Sequence, residues 1–582
     1  MTRLTRYNVL VISSRRMAAL SFACLGFVSM GAAAPDIFPL KDVRAGQHGV
    51  GRTVFSGTRV EEFQVEVLGV LENLGPRQSI ILARLSGGPL ASTGVMQGMS
   101  GSPVYIDGKL VGAIALSFPL SKEAIAGIRP IEDMLRVMPQ PARTIAQAAP
   151  RRRPFVAGGN ALEEIATPVS FSGFTPAALE HFAPQLRQMG LDPRQGVSGG
   201  GAIPARLGDP RKLEPGSMIS VQLISGDMTV GAEGTITAID GDRVYAFGHR
   251  FLDEGSTDLP FASAEVLALL PNVSSSFKIS AAREWMGSIT SDRETAVSGL
   301  TGRQASLIPV QIRVGQNTYR MQLVQDRVMT PLLMQMALFS AIDSTERSVG
   351  AQAYSVRGQL DFDGGAVRVD DVYSGDVGVA VIASAGIGSP IAYALQSGFD
   401  ALKLKTVSLE VAPVERRSQQ QVVDLMAART VRPGEVLDLT VVMEGQNGVD
   451  TSRRVQYRVP MGTPAGTLSF TIADATSTNV IEFQSAVATP RRSPQQVLNL
   501  LNGLRSNTKA YIRVWRAEPS FTVDGRDIPD PPPSLAMLLT RGQAGSANLV
   551  NTRGAKVAEL EVPGTPGFVV TGTKTIQVEV KE

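Results

Sequence analysis

Gly98-Met-Ser-Gly-Ser-Pro103 runs into Val104-Tyr-Ile106, then Asp107-Gly108, then Lys109-Leu-Val-Gly-Ala-Ile114. The reading of the whole chain turns on this stretch. A tight turn of small residues enters a short apolar run through a proline. Asp107-Gly108 then sits between two apolar runs as a two-residue hairpin signal, because glycine tolerates positive φ in the turn. Working outward, Phe63-Gln-Val-Glu-Val-Leu-Gly-Val70 alternates sides as a half-buried strand does, and Ser79-Ile-Ile-Leu-Ala-Arg-Leu85 is a further short apolar run. The pattern from Asp42 to Met138 predicts a compact β domain that ends in one short helix, Pro130 to Val137.

The chain has 582 residues, 43% of them apolar and 19% charged, which is too apolar for a disordered protein. At roughly 150 residues per domain the length predicts three or four domains. The one cysteine, Cys24, excludes a disulfide scaffold. The first 34 residues predict a secretory signal. Arg3, Arg6, Arg15 and Arg16 make a basic start, Met17 to Gly31 an apolar stretch, and Ala32-Ala33-Ala34 a small-residue cleavage site. That apolar run is short for a membrane span, and it continues past Cys24, which argues against a lipid-modified cysteine. Without this segment 52 basic side chains face 53 acidic ones. The basic balance therefore belongs to the leader, and no nucleic-acid partner is expected. No later run approaches the roughly 18 uninterrupted apolar residues of a span, so no transmembrane segment is expected beyond the amino-terminal one. The expected location is the periplasm or the extracellular side.

Beyond the first β domain, 139–160 is rich in Pro, Ala and Arg and reads as a solvated linker, with a protease-sensitive site at Arg151-Arg152-Arg153 as the alternative. A helix is expected from Thr175 to Met189. The Gly-rich loop Gly196-Val-Ser-Gly-Gly-Gly201 lacks the lysine and the strand–helix context of a phosphate cradle. Strands return at Met218–Leu223, Gly234–Ile239 and Val244–Phe247, with Asp240-Gly241 as a second hairpin turn. Leu332, Met336 and Phe339 mark an amphipathic helix over Thr330 to Asp343. After Leu404, alternating runs at Val407–Val411, Val436–Val442, Arg454–Val459 and Thr467–Ile472 predict an immunoglobulin-like β-sandwich. A carboxy-terminal part follows, either a continuation of the sandwich or a small cap, with a short helix at Pro494–Leu504 and strands at Lys556–Val562 and Thr575–Val580.

The chemistry is narrowed by scarcity. Three histidines, His48, His181 and His249, and no cysteine outside the leader leave no zinc motif, so neither a metal nor another cofactor is expected. The Gly98–Pro103 loop resembles the Gly-Asp-Ser-Gly-Gly-Pro nucleophile loop of chymotrypsin-like peptidases. Small residues let the N–H groups of Gly98 and Ser100 point at one oxyanion. The Ser100 hydroxyl then needs a base. His249 follows a strand and Gly248, as a strand-end active-site histidine would. His48, in a Gly loop near the serine in sequence, is an alternative base, and His181 reads as a surface residue.

A wider match sharpens this. Thr93-Gly-Val-Met-Gln-Gly-Met-Ser-Gly-Ser-Pro103 with Asp107–Ile114 resembles the serine segment of the SpoIVB family of serine peptidases. Gly234-Thr-Ile-Thr-Ala-Ile-Asp240 with Ala246-Phe-Gly-His-Arg250 resembles that family's strand and Gly-His motif. The resemblance implies a mainly β chain whose chymotrypsin-like double β-barrel cleaves protein or peptide substrates and itself, with Ser100 as nucleophile and His249 as base. Two departures stand out. The serine and histidine segments come in reversed order, and Ser86 occupies the place of the family's aspartate. A triad without its carboxylate loses about 10⁴-fold in rate, so Asp253, Asp258 and Asp292 are candidate substitutes. The alternative is an inactive envelope scaffold that binds a protein partner. The expected plan is a signal at 1–34, a serine-containing barrel at 35–138, a linker at 139–160 and a histidine-containing barrel with helical additions at 161–404. A β-sandwich at 405–490 and a small α+β region at 491–582 complete it.

Overall fold

The computed structural model describes residues 35–582 apart from 76–77, 137–154, 158–159, 197–205, 346–351, 376–377, 415–418, 446–447, 489–492, 518–519, 524–525, 530, 542–548, 553 and 566–567. The leader, the Arg151–Arg153 run and most of the Gly196–Gly201 loop lie outside the described residues.

Alternating side chains decide the first domain. Phe63, Val65 and Val67 of one strand, Ile81, Ala83 and Leu85 of the next, and Val104 and Ile106 of a third all point into one core, as a period of two requires. Strands β1 (His48–Val54), β2 (Val60–Gly75), β3 (Gln78–Ser86), β4 (Pro103–Ile106), β5 (Lys109–Ser117) and β6 (Ile125–Pro130) pair in the order β1–β2–β3–β6–β5–β4. β4 returns to β1 through Val50 opposite Tyr105, so the six strands close into a barrel. Asp107 and Gly108, both at positive φ, form the β4–β5 turn with Ile106 opposite Lys109. The helix expected after β6 spans Ile131–Leu135.

A second ring follows the same logic. Met218–Gly226, Thr229–Asp240, Arg243–Ala246, Ala296–Thr301, Phe277–Arg293 and Gly255–Leu270 pair in that order, and the last returns to the first. The architecture is thus two closed six-stranded barrels. The hairpin expected at Asp240-Gly241 turns one residue later: Asp240 still pairs with Arg243, leaving Gly241 and Asp242 as the turn.

The second barrel's sheet continues through Asn317–Val324 and Leu307–Val314 to Leu404–Pro413, Gln352–Phe362 and Gly365–Gly375. Helices Met329–Thr345 and Val379–Gln396 pack into the same core. By length and composition Val379–Gln396 could cross a membrane, yet its Val379, Ala383, Ile387, Ile391 and Ala394 are buried inside the fold.

Two boundaries differ from expectation. Val407–Val411, read as the first sandwich strand, lies in Leu404–Pro413, which pairs with Leu307–Val314 and Gln352–Phe362. Alternation identifies a strand but does not name its partner. The boundary placed at 490 falls inside the sandwich, because Lys509–Arg516 and Thr573–Val580 pair with Gly466–Asp474, and Ala555–Pro563 pairs with Lys509–Arg516. The opposing sheet holds Asp450–Arg458, Val436–Gly445, Gln419–Met426 and Val569–Thr571. What remains of the α+β addition is the three-stranded sheet of Ser520–Val523, Arg526–Pro529 and Leu549–Thr552 with helix Pro533–Arg541.

Inside the first barrel the Phe63 ring fills the space over Gly51, where a Cβ would sit 2.1 Å from the ring. Gly51→Ala should destabilise the protein by about 1–3 kcal/mol through overpacking, read from urea unfolding. A loss below about 0.5 kcal/mol would contradict this packing.

Candidate active site

The turn Gly98–Pro103 folds back on itself: the Met99 N–H donates to Met96 O (3.1 Å) and the Ser102 N–H to Met99 O (2.9 Å). Gly98 and Gly101 take positive φ, 89° and 92°, the left-handed region that glycine enters without a Cβ penalty. The turn is pinned to its own barrel by β5, where the Gly101 N–H donates to Ile114 O and the Ile114 N–H to Ser102 O.

Its other side meets the second barrel. The Thr235 N–H donates to Ser100 O at 2.9 Å, Thr235 Oγ1 to Gly98 O at 2.9 Å, and Thr237 Oγ1 to Gly101 O at 2.7 Å. The approach is so close that a Cβ on Gly101 would lie 2.0 Å from Thr235 O and 2.5 Å from Phe247 N.

His249 reaches the same place from the opposite side. The Phe247 N–H donates to Thr235 O (3.3 Å), so Thr235 bridges Ser100 and Phe247 through its two backbone groups. A Cβ on Gly248 would rest 3.3 Å from Ile114 O, the atom that accepts from Gly101. Buried Arg129 of β6 donates to Gly248 O at 3.4 Å. The two motifs thus converge on Thr235 of one barrel and Ile114 of the other. Ser100 and His249 are both fully buried.

His249 Nδ1 lies 2.7 Å from Arg250 O. A carbonyl only accepts, so the proton sits on Nδ1 and Nε2 is the basic nitrogen. Orientation of the ring, which a triad assigns to a carboxylate, comes here from a backbone carbonyl.

Asp292 acts one step further back. Its carboxyl accepts from three successive N–H groups, those of Phe251 (2.8 Å), Leu252 and Asp253 (2.8 Å), and so clamps the turn behind His249. Burial raises its pKa to about 6 against the opposing pull of those N–H groups. Asp253 is exposed, at positive φ, 3.5 Å from Arg250. Asp258 accepts from Ser288 Oγ and the Ser306 N–H and faces Arg303. Ser86 is exposed at the end of β3.

His48 is exposed at the start of β1, five residues from Thr53, whose Oγ1 accepts from Ser102 Oγ; along a strand that is about 17 Å. The structure therefore removes His48 as a base for Ser100. His181 is exposed and stacks on Phe339, as a surface residue does.

Three polar groups of the serine turn stand out. Among the described residues the Gly98 N–H, the Ser100 N–H and Ser100 Oγ make no hydrogen bond, though Gly98 and Ser100 are buried. Buried N–H groups are almost always paired. Sequence reasoning also passed over Lys278, buried against this turn; within its strand it had no motif to mark it.

Two closed β-barrels with a serine turn held between them define a chymotrypsin-like architecture. Residues 33–135 match the SpoIVB peptidase S55 family, so the serine-bearing barrel is similar to the barrel of that family. The match takes in all six strands and Ser100, and it ends before His249. No curated protein and no solved structure gives a significant match to the chain.

Asp292→Asn tests the clamp. The folded carboxyl keeps its proton to about pH 6, whereas the unfolded one loses it near pH 4. The folded state then binds more protons at this group between those values, so the Asp292 contribution to stability falls as pH rises through that window and is level above it. About two pKa units correspond to about 3 kcal/mol. In urea unfolding from pH 4 to pH 7 the decline should be about 3 kcal/mol smaller in Asp292→Asn than in the wild type.

Proposed function

We propose that the protein is an exported serine endopeptidase of the SpoIVB type, acting on protein substrates and on itself. Ser100 attacks the scissile carbonyl, His249 Nε2 takes the hydroxyl proton and returns it to the leaving amine, and the Gly98 and Ser100 N–H groups receive the oxyanion. The observation that carries this reading is the trio of buried groups without partners. A turn that served only as a turn would satisfy its own donors, whereas an oxyanion site keeps two of them for the transition state.

The role of the missing aspartate is divided. Arg250 O fixes the Nδ1 proton, and Asp292 holds the backbone that carries the ring. Neither places a negative charge on the imidazolium, so the rate should fall short of a complete triad. Asp253 and Asp258 are left outside the mechanism. Export rests on the basic and apolar leader alone.

A second reading, an inactive envelope scaffold, draws support from the full burial of Ser100 and His249 and from Ser86 at the family's aspartate position. Labelling of the purified protein with a fluorophosphonate separates the two. We expect covalent labelling at Ser100 that is abolished in Ser100→Ala and reduced at least about 100-fold in His249→Ala. Absence of labelling in the wild type, before and after limited proteolysis, would overturn the peptidase reading in favour of the scaffold.

A further inference from the structure

Lys278 is the second residue of the long strand Phe277–Arg293, and only 2% of it is exposed. Its Nζ donates to Thr53 Oγ1 of β1 at 2.7 Å, and the same oxygen accepts from Ser102 Oγ at 3.0 Å. Thr53 and Ser102 are themselves fully buried. The stem of Lys278 covers the turn from below: a Cβ on Gly98 would lie 3.3 Å from its Cδ and 3.4 Å from its Cγ. Its backbone N–H donates to Gln97 O, and the Gln97 N–H donates to Ser276 O. Lys278 therefore touches the serine turn at Gln97 and Gly98, and through Thr53 at Ser102.

Among the described residues no carboxylate lies within ion-pair distance of Nζ. The charged groups on the surrounding elements are engaged elsewhere, Arg52 with Glu62, Glu265 with Arg283, and Arg194 with Asp192. A buried ammonium without a counter-charge is costly, and methionine would fill the same space without that cost. An amine in this position needs a reason that packing does not supply.

We propose that Lys278 is a positioning residue for the serine turn, holding Gly98 and Ser102 in place through its stem and through the Lys278–Thr53–Ser102 hydrogen-bond chain. The proposal rests on the reading of Ser100 as the nucleophile. Burial lowers the amine's pKa to about 7, so both forms are present at neutral pH. The neutral amine can accept from the Thr53 hydroxyl, which accepts from Ser102, and all the donors then run one way. The ammonium can only donate, and the Thr53 proton loses that acceptor.

The test is amide hydrogen exchange of residues 97–102, corrected for intrinsic rates, together with fluorophosphonate labelling. When the turn opens and Lys278 is solvated, the amine regains its ordinary pKa and the open form binds more protons. Protection of the turn should therefore rise roughly fiftyfold from pH 7 to pH 9 in the wild type. Strand Val436–Gly445 of the sandwich serves as the internal reference. Lys278→Met should abolish this gradient, and Lys278→Arg, which does not titrate in that range, should also be flat. Thr53→Val, which keeps the buried amine and cuts the chain, should keep the gradient while lowering the protection of the turn at every pH, and guards against a Lys278→Met protein that fails to fold. Labelling at Ser100 should fall at least about tenfold in Lys278→Met and Thr53→Val.

A level wild-type profile, or the same gradient in Lys278→Met, would overturn the proposal. Ser100→Ala run in parallel separates the two readings, because Ser100 Oγ is not part of the chain. A gradient that survives in Ser100→Ala beside an unlabelled wild type supports Lys278 as the holder of the turn and removes the peptidase reading alone.

Discussion

Everything about the site depends on one close approach, the backbone of Gly101 against the backbone of Thr235. No side chain fits there, since a Cβ would overlap Thr235 O and Phe247 N. Because the gap is closed, Thr235 can use its N–H on Ser100 and its carbonyl on Phe247. The Thr235 N–H bond to Ser100 O thus joins the two barrels through main chain, and the short hydroxyls of Thr235 and Thr237 add bonds to Gly98 O and Gly101 O, all with little rotamer entropy. A contact between barrels made through long side chains would leave the serine turn and the histidine turn free to drift by ångströms.

The strand Phe277–Arg293 ties the two turns together from behind. Near its start Lys278 meets the serine turn, and near its end Asp292 clamps the turn after His249. Both are ionisable groups in a dry interior, with pKa values displaced toward neutrality from opposite sides. Burial on this scale is expensive and tends to be tolerated where a site needs it. The strand's pairing with Gly255–Leu270 shifts register four times.

Much of the fold was legible in the chain. The Asp107-Gly108 hairpin and the alternating run Phe63–Val70 each mark an element that is present, because turn chemistry and period-two burial are local properties. Which strands close a ring is not local. Leu404–Pro413 has the alternation of a sandwich strand and pairs with the sheet of the second barrel. Lys509–Arg516 lies beyond a helix and completes the sandwich. The site divides in the same way. Ser100 and His249 are visible as motifs. Asp292 could be named only among three aspartates, since its role is set by three N–H groups some forty residues earlier in the chain. Lys278 carries no signal, because a lysine on a strand is ordinarily a solvated residue, and only the packing of four elements around it makes it otherwise.

The enclosure of Ser100 has a consequence for timing. Ser100 and His249 sit on different barrels, and neither has exposed surface. If Ser100 is the nucleophile proposed above, a peptide long enough to need the seam parted would meet the serine with the histidine drawn away from it, and entry and activation could not coincide. Such a seam would work like a turnstile: the occupant admitted first, the barrels closed over it, and only the closed passage able to react. Throughput would then be governed by how often the two halves came apart and rejoined, and a molecule that merely propped them open would inhibit without ever touching the serine.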